Sequence, residues 1–224
     1  SGILQDGAIE PNLLNQLSSM AADTANRLLK ICIRAIEFTS PIGVTFSGYL
    51  RALLTADYLL SPDEEFHLRR ILVESFAERG IFASEAGSQD PASVRFRSQT
   101  EQGTQSDSEI DAKMRSELRA MLQQTVAIYF DEQCSNSSGE KLAKAQLKLV
   151  RDQLLRFARH FARELLLSPS VDLEIFLDGF HVSFYFDQYG QLKVLFLVRY
   201  FQYRDKSKLS HRGVTLVVDT EGTL

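Results

Sequence analysis

Two cysteines in 224 residues, Cys32 and Cys134, are too few for a disulfide framework or a thiolate zinc cluster. That usage points to a reducing compartment and favours a cytoplasmic address. No run of about eighteen apolar residues appears, so no helix is expected to span a bilayer. Basic excess is lacking too: 25 Lys and Arg against 29 Asp and Glu leave a net charge of −4. A dedicated nucleic-acid binder usually shows the opposite balance, so no nucleic-acid partner is expected. The sequence has no His-Glu-x-x-His, Gly-rich phosphate loop, Gly-x-Ser-x-Gly elbow or Cys-x-x-Cys pair. No catalytic, cofactor-binding or metal-ligating residue is therefore assigned within this chain. What is present is 44% hydrophobic, 24% charged and 10% aromatic. Such a composition suits one or two globular domains with a buried core and excludes wholesale disorder.

Periodicity supplies the elements. Apolar residues recur at helical spacing over 12–37, at Leu13, Leu17, Met20, Ala21, Ala25, Leu28, Leu29, Cys32 and Ile36. Thr39 to Gly43, with Pro41 inside, breaks this helix. Thr45 is a good N-cap for a second helix through about Leu60, with Phe46, Tyr49, Leu50, Leu53, Leu54 and Tyr58 on its apolar side. Ser61-Pro62-Asp63-Glu64 reads as a capping start for a third helix, which carries Phe66, Ile71, Leu72, Ser75 and Phe76 and ends on Arg79-Gly80. From Ala83 to Ser108 polar residues dominate, and only Val94 and Phe96 are sizeable and apolar, as in a linker or long loop. Two more helices are expected over 109–133 and 139–166. Val150, Leu154, Phe157, Phe161 and Leu165 trace one face of the second, which Pro169 ends. The period then switches to two. Val171–Phe176, Val182–Phe186, Leu192–Tyr203 and Val214–Val218 read as strands, with a turn at Asp187-Gln188-Tyr189-Gly190. The fold class is α+β: a helical lobe of three helices over 1–82, a flexible linker over 83–108, and over 109–224 a helix pair packed on an antiparallel β-meander.

Candidate chemistry is sparse. His67, His160, His181 and His211 are scattered, and His181, between Phe180 and Val182, reads as a half-buried sheet residue rather than a base. Asp57, Asp63, Glu64 and Glu65 cluster at a helix joint without the spacing of a calcium loop, and acidic residues in a first turn follow from the helix dipole. Lys144, Lys148, Arg151, Arg159 and Arg163 form a stripe that reads as a solvated face rather than a phosphate-binding one. Asn136-Ser137-Ser138 matches a glycosylation sequon that carries no weight without a secretory signal. Phe184, Tyr185, Phe186, Phe196, Tyr200, Phe201 and Tyr203 crowd the meander. One buried sheet face accounts for about half of them by alternation. The rest are covered by the helices or another part of a longer protein, or else form an interaction patch for a protein partner. Cys32 reads as a small buried hydrophobe, and no disulfide with Cys134 is expected.

The chain opens without Met or signal peptide, and after the strand Val214–Val218 comes turn chemistry, Asp219-Thr220-Glu221-Gly222, and then the end. An unpaired final strand is expected to belong to a longer protein; a short tail is the alternative.

The order of features in residues 28–82 resembles the last segment of thermolysin-like (gluzincin) zinc metallopeptidases. A first helix is represented by Leu29-Lys30-Ile31-Cys32-Ile33-Arg34-Ala35-Ile36, followed by a Pro-containing break at Thr39-Ser40-Pro41. A Thr-Phe-capped helix comes next, running Thr45-Phe46-Ser47-Gly48-Tyr49-Leu50-Arg51-Ala52-Leu53-Leu54-Thr55-Ala56-Asp57. A Ser-and-acid joint from Ser61 to Glu65 leads to a helix closing on Phe76-Ala77-Glu78-Arg79-Gly80-Ile81. Tyr49 to Asp57 also resembles uncharacterised bacterial proteins of this type that continue past the lobe. The likeness covers about a quarter of the chain and stops at Phe82.

In such enzymes, zinc is held by two His of a His-Glu-x-x-His helix and a downstream Glu, all upstream of the segment matched here. The resemblance therefore implies a non-catalytic C-terminal part that scaffolds a catalytic lobe, with zinc in the parent protein and no zinc ligand in this chain. The partner it implies is the N-terminal catalytic lobe of the same protein, and the helical part is expected to expose apolar surface where that lobe would sit. A fragment with such a surface is prone to aggregate or dimerise. A stand-alone protein-interaction module with no peptidase activity is the rival reading.

Overall fold

The computed structural model describes residues 9–63, 67–83, 90–96, 109–130, 137–168, 173–204 and 211–220. Among them are six helices and one three-stranded antiparallel sheet, an α+β fold. The helices are α1 (Pro11–Phe38), α2 (Phe46–Leu60), α3 (Leu68–Ala77), α4 (Pro91–Val94), α5 (Glu109–Phe130) and α6 (Ser137–His160). The strands β1 (Leu173–Phe186), β2 (Leu192–Arg204) and β3 (His211–Asp219) are paired in the order β1-β2-β3.

The helix boundaries have local causes. Pro11 stands in the first turn of α1, and the Glu10 side chain accepts from Asn12 N and Leu13 N. Thr45 caps α2, accepting from Gly48 N at 3.0 Å. At the end of α3, Ile81 N donates to Phe76 O and Gly80 N to Ala77 O, with Gly80 at φ +72°. This is a Schellman closure, and the left-handed residue in it is the expected glycine. The start of α3 differs from the Ser61-Pro62 expectation. Ser61 instead ends α2, its N–H donating to Asp57 O at 2.8 Å, and α3 begins at Leu68 behind a left-handed His67. Glu64 and Phe66 lie outside the described residues. The regular part of α6 stops at His160. The chain continues in helical turns to a second Schellman closure around Leu166, where Leu167 N donates to Ala162 O and Leu166 N to Arg163 O.

The sheet is buried on both faces. Strand alternation sends Phe196, Val198 and Tyr200 of β2 toward α5 and α6, where they meet Met114, Leu118, Leu122, Val150, Leu154, Phe157 and Phe161. The other face, with Leu195 and Leu197 and Tyr185 of β1, packs on Ile31, Ala35 and Phe38 of α1 and Leu53 of α2. Residues 173–176 and 182–186, read as parts of two separate strands, belong to the single strand β1, whose register against β2 shifts between Leu177 and Gly179; Val171 and Asp172 lie outside the described residues. The extra residue at this bulge resets the two-residue period. Ile175 and Leu177 before it, and Phe180 and Val182 after it, therefore all face α5 and α6.

Within the span expected as a linker, residues 90–96 dock. Val94 is buried against Leu50, Leu54 and Val73, Arg51 Nε donates to Val94 O at 3.1 Å, and Phe96 N donates to Thr55 Oγ1 at 3.0 Å. No described helix is long and apolar enough to cross a membrane.

Candidate functional site

The acidic joint resolves into two separate arrangements. Asp57 is wholly buried and accepts from Arg27 Nε and Nη2 through Oδ1 and from Arg69 Nε through Oδ2 at 2.7 Å. Arg69 also reaches Ser61 O and Pro62 O, so the carboxylate ties α1, α2 and α3 together. Both its oxygens are occupied by guanidinium donors, which suits a structural clip and not a cation site. Asp63 is exposed and accepts from Gln188 Nε2 and the Tyr189 hydroxyl, pinning the β1–β2 turn. Glu64 and Glu65 lie outside the described residues, as do Cys134 and Asn136.

Lys144, Lys148, Arg151, Arg159 and Arg163 are all exposed, and Arg151 Nη2 donates to Leu177 O at 3.0 Å, beside the bulge. Cys32 is half-buried rather than buried, on the side of α1 that meets Tyr49, whose hydroxyl donates to Cys32 O. The described histidines are dispersed: His67 precedes α3 without a side-chain capping bond, His160 ends α6, His181 sits on β1 and His211 opens β3.

One polar cluster lies between α1 and the sheet, and composition and spacing gave no warning of it. Arg34 Nη1 donates to Glu37 Oε2 at 2.7 Å and also to Ser183 Oγ, and Ser183 donates to Glu37 Oε2 at 3.2 Å. The Arg34 guanidinium lies over the Tyr185 ring, 5.1 Å from its centre. His181 stands nearby; burial pushes its pKa down, Glu37 pulls it up in part, and the Arg199 and Arg34 charges push it further down. A serine next to a carboxylate and a histidine invites comparison with a nucleophilic couple. The geometry argues otherwise, since His181 makes no hydrogen bond to Ser183 and the carboxylate beside the serine is already engaged by Arg34. The cluster holds the C-terminal half of α1 onto β1. Among the described residues, no group of three His, Cys, Asp or Glu is placed to hold a metal.

An exposed apolar face lies on the outer side of α1. Ile31, Ala35 and Phe38 form the stripe that is buried on α2 and the sheet. Leu29, Ile33 and Ile36 repeat the same four-and-three spacing on a different side, and all three are exposed, Ile33 at 61%. Leu14 and Leu28 are also exposed, and beyond the helix so are Val44 and, at 72%, Phe46. Of residues 11–30 none is buried. The sequence pattern marked Leu17, Met20, Leu28, Leu29 and Ile36 as apolar-face residues, and Phe46 for α2; all of these are exposed. Two apolar stripes share one helix, and periodicity alone does not tell which of them meets the rest of the fold.

A second exposed apolar group caps the β1–β2 hairpin, where Phe186, Tyr189 and Leu192 are exposed and Phe184 packs edge-on against Phe130 of α5. Comparison of the chain with protein-family models, curated proteins and solved structures finds no match in any of the three.

Proposed function

We propose that this chain is the non-catalytic C-terminal part of a zinc-metallopeptidase-like protein, in which α1 packs against a catalytic lobe and the sheet with α5 and α6 forms an accessory domain. One observation carries the reading. Leu29, Ile33 and Ile36 are exposed to water on a helix whose opposite side is already buried, and Val44 and Phe46 beyond it are exposed too. An apolar stripe of that kind favours burial against another folded body. Further support comes from the resemblance over residues 28–82, whose elements appear in order as α1, the break at Pro41, a Thr45-capped α2, and α3 closing on Gly80. On this reading zinc and its ligands belong to the catalytic lobe, and the chain's own residues supply packing.

The test is to sequence the gene beyond both ends of this chain, then assay the full product and the 224-residue chain for zinc and peptide hydrolysis. The expected result is a His-Glu-x-x-His segment with a downstream Glu ahead of Ser1, zinc in the full product, and no hydrolysis by the chain alone. Hydrolysis by the chain alone, or a reading frame starting at Ser1, overturns the proposal.

The exposed Phe186, Tyr189 and Leu192 at the hairpin tip favour a second reading, a stand-alone module that binds a protein partner there. It expects Phe186→Ser to abolish partner capture while Ile33→Glu leaves it intact; the first reading expects the reverse.

A further inference from the structure

The first half of α1 stands outside the folded body. No side chain of residues 11–30 is buried, whereas Ile31, Ala35 and Phe38 are. Arg27, bound to Asp57 on α2, marks where the body begins. Ahead of it the helix has little to hold it in water. Asn12, Asn15, Ser18, Ser19, Thr24 and Asn26 are weak helix formers, and Asp23 is the one charged residue from 11 to 26, so no ion pair forms within the segment. An isolated helix of about 15 residues is marginal in water. Its apolar residues are nevertheless ordered. Leu14, Leu17, Ala21, Thr24 and Leu28 follow alternating steps of three and four, and the next steps of that spacing are Ile31, Ala35 and Phe38. One heptad seam therefore runs along α1, covered by α2 and the sheet in its second half and exposed in its first. Thr24, its polar member, donates its hydroxyl to Met20 O at 2.8 Å, so it brings no unsatisfied donor to the seam.

The exposed seam is complementary to itself. With two such helices antiparallel and a two-fold axis at the level of Ser19, Leu14 meets the partner's Thr24 and Leu17 meets the partner's Ala21, large against small in every layer. The same axis bisects residues 12–26. The segment ahead of Arg27 is then overlapped along its length, roughly 22 Å of helix, and each N-terminus stops where the other folded body begins. A parallel pair stacks leucine on leucine and alanine on alanine, and crowds both bodies at one end. Charge does not oppose the antiparallel pair, because the two Asp23 side chains are about 12 Å apart along the axis. A helix lying on an anionic membrane carries Lys and Arg beside its apolar face, and residues 11–26 have neither. We propose that the first half of α1 pairs with the same segment of a second copy as an antiparallel two-helix coiled coil, which makes this chain a dimer. Leu29, Ile33 and Ile36 lie outside the seam and stay free for the packing proposed above.

The test is sedimentation equilibrium of the whole 224-residue chain over about 2 to 200 μM. The expected result is a species of twice 25.3 kDa that dissociates on dilution. Leu17 is 47% exposed in the single chain, so Leu17→Glu leaves the folded body intact and is expected to weaken dimerisation at least about tenfold. Ile33→Glu, on the other stripe, is expected to remain dimeric. Small-angle X-ray scattering of the dimer is expected to show two masses separated by the paired helices. A chain still monomeric at about 200 μM, a dimer indifferent to Leu17→Glu, a dimer lost in Ile33→Glu, or two bodies side by side overturns the proposal. The first and last of those outcomes are read on the unaltered chain and do not depend on a variant folding. Zinc content or peptide hydrolysis in a longer product bears only on the packing proposal and leaves this one standing.

Discussion

Arg69 Nε donates to the fully buried Asp57 Oδ2 at 2.7 Å, while Arg27 holds the other carboxylate oxygen from α1. Two cations on one anion fix how three helices meet. Removing the anion leaves Arg69 charged and largely out of water. Asp57→Asn is expected to destabilise the fold by about 3–5 kcal/mol, the usual cost of breaking a buried pair from one side. Urea denaturation checks it, and a loss below about 1 kcal/mol, typical of an exposed pair, contradicts the assignment.

Leu166 carries φ +56° at the Schellman closure after α6, and its side chain is 78% exposed. A non-glycine residue pays about 1–2 kcal/mol in this region, partly offset by the greater unfolded-state freedom of glycine. Leu166→Gly is expected to raise Tm by a few degrees, on the order of 2–4 °C per kcal/mol for a chain of this size. A lowered Tm in calorimetry would show that the leucine side chain contributes more than the backbone strain costs.

His181 has a folded-state pKa below its ordinary value, chiefly through burial, with Arg199 and Arg34 adding to the effect and Glu37 opposing it. The unfolded chain therefore takes up the proton first as pH falls. Stability is expected to be full above about pH 6.5, to decline as pH falls from there toward the depressed folded value, and to level off below it. His181→Gln removes this segment of the pH profile. A profile between pH 5 and 7 that is identical in variant and parent chains refutes the assignment.

Val94 is 1% exposed and fills the space between Leu50, Leu54 and Val73. Val94→Ala is expected to cost about 1.5–3 kcal/mol from lost transfer and the cavity left behind. If residues 90–96 are docked as described, limited proteolysis near Arg95 speeds up in the variant; an unchanged cleavage rate counts against the docking.

Local boundaries and classes of element are legible in the chain alone. Thr45 and Gly80 announce a helix start and end because capping and left-handed closure are decided within one turn of chain. The stripe Val150, Leu154, Phe157, Phe161 and Leu165 was legible for a similar reason, since one apolar face on a helix admits one burial. What depends on distant partners emerges only when the elements pack together. Asp57 read as one of four acidic residues at a joint, and its meaning comes from Arg27, thirty positions earlier, and Arg69, twelve later. The bulge that makes β1 one strand requires β2 to define it. Of the two apolar stripes on α1, the one buried on Leu53 and Leu197 and the one left in water have the same spacing. Periodicity encodes how residues share a face; which face is covered is a property of the assembled fold.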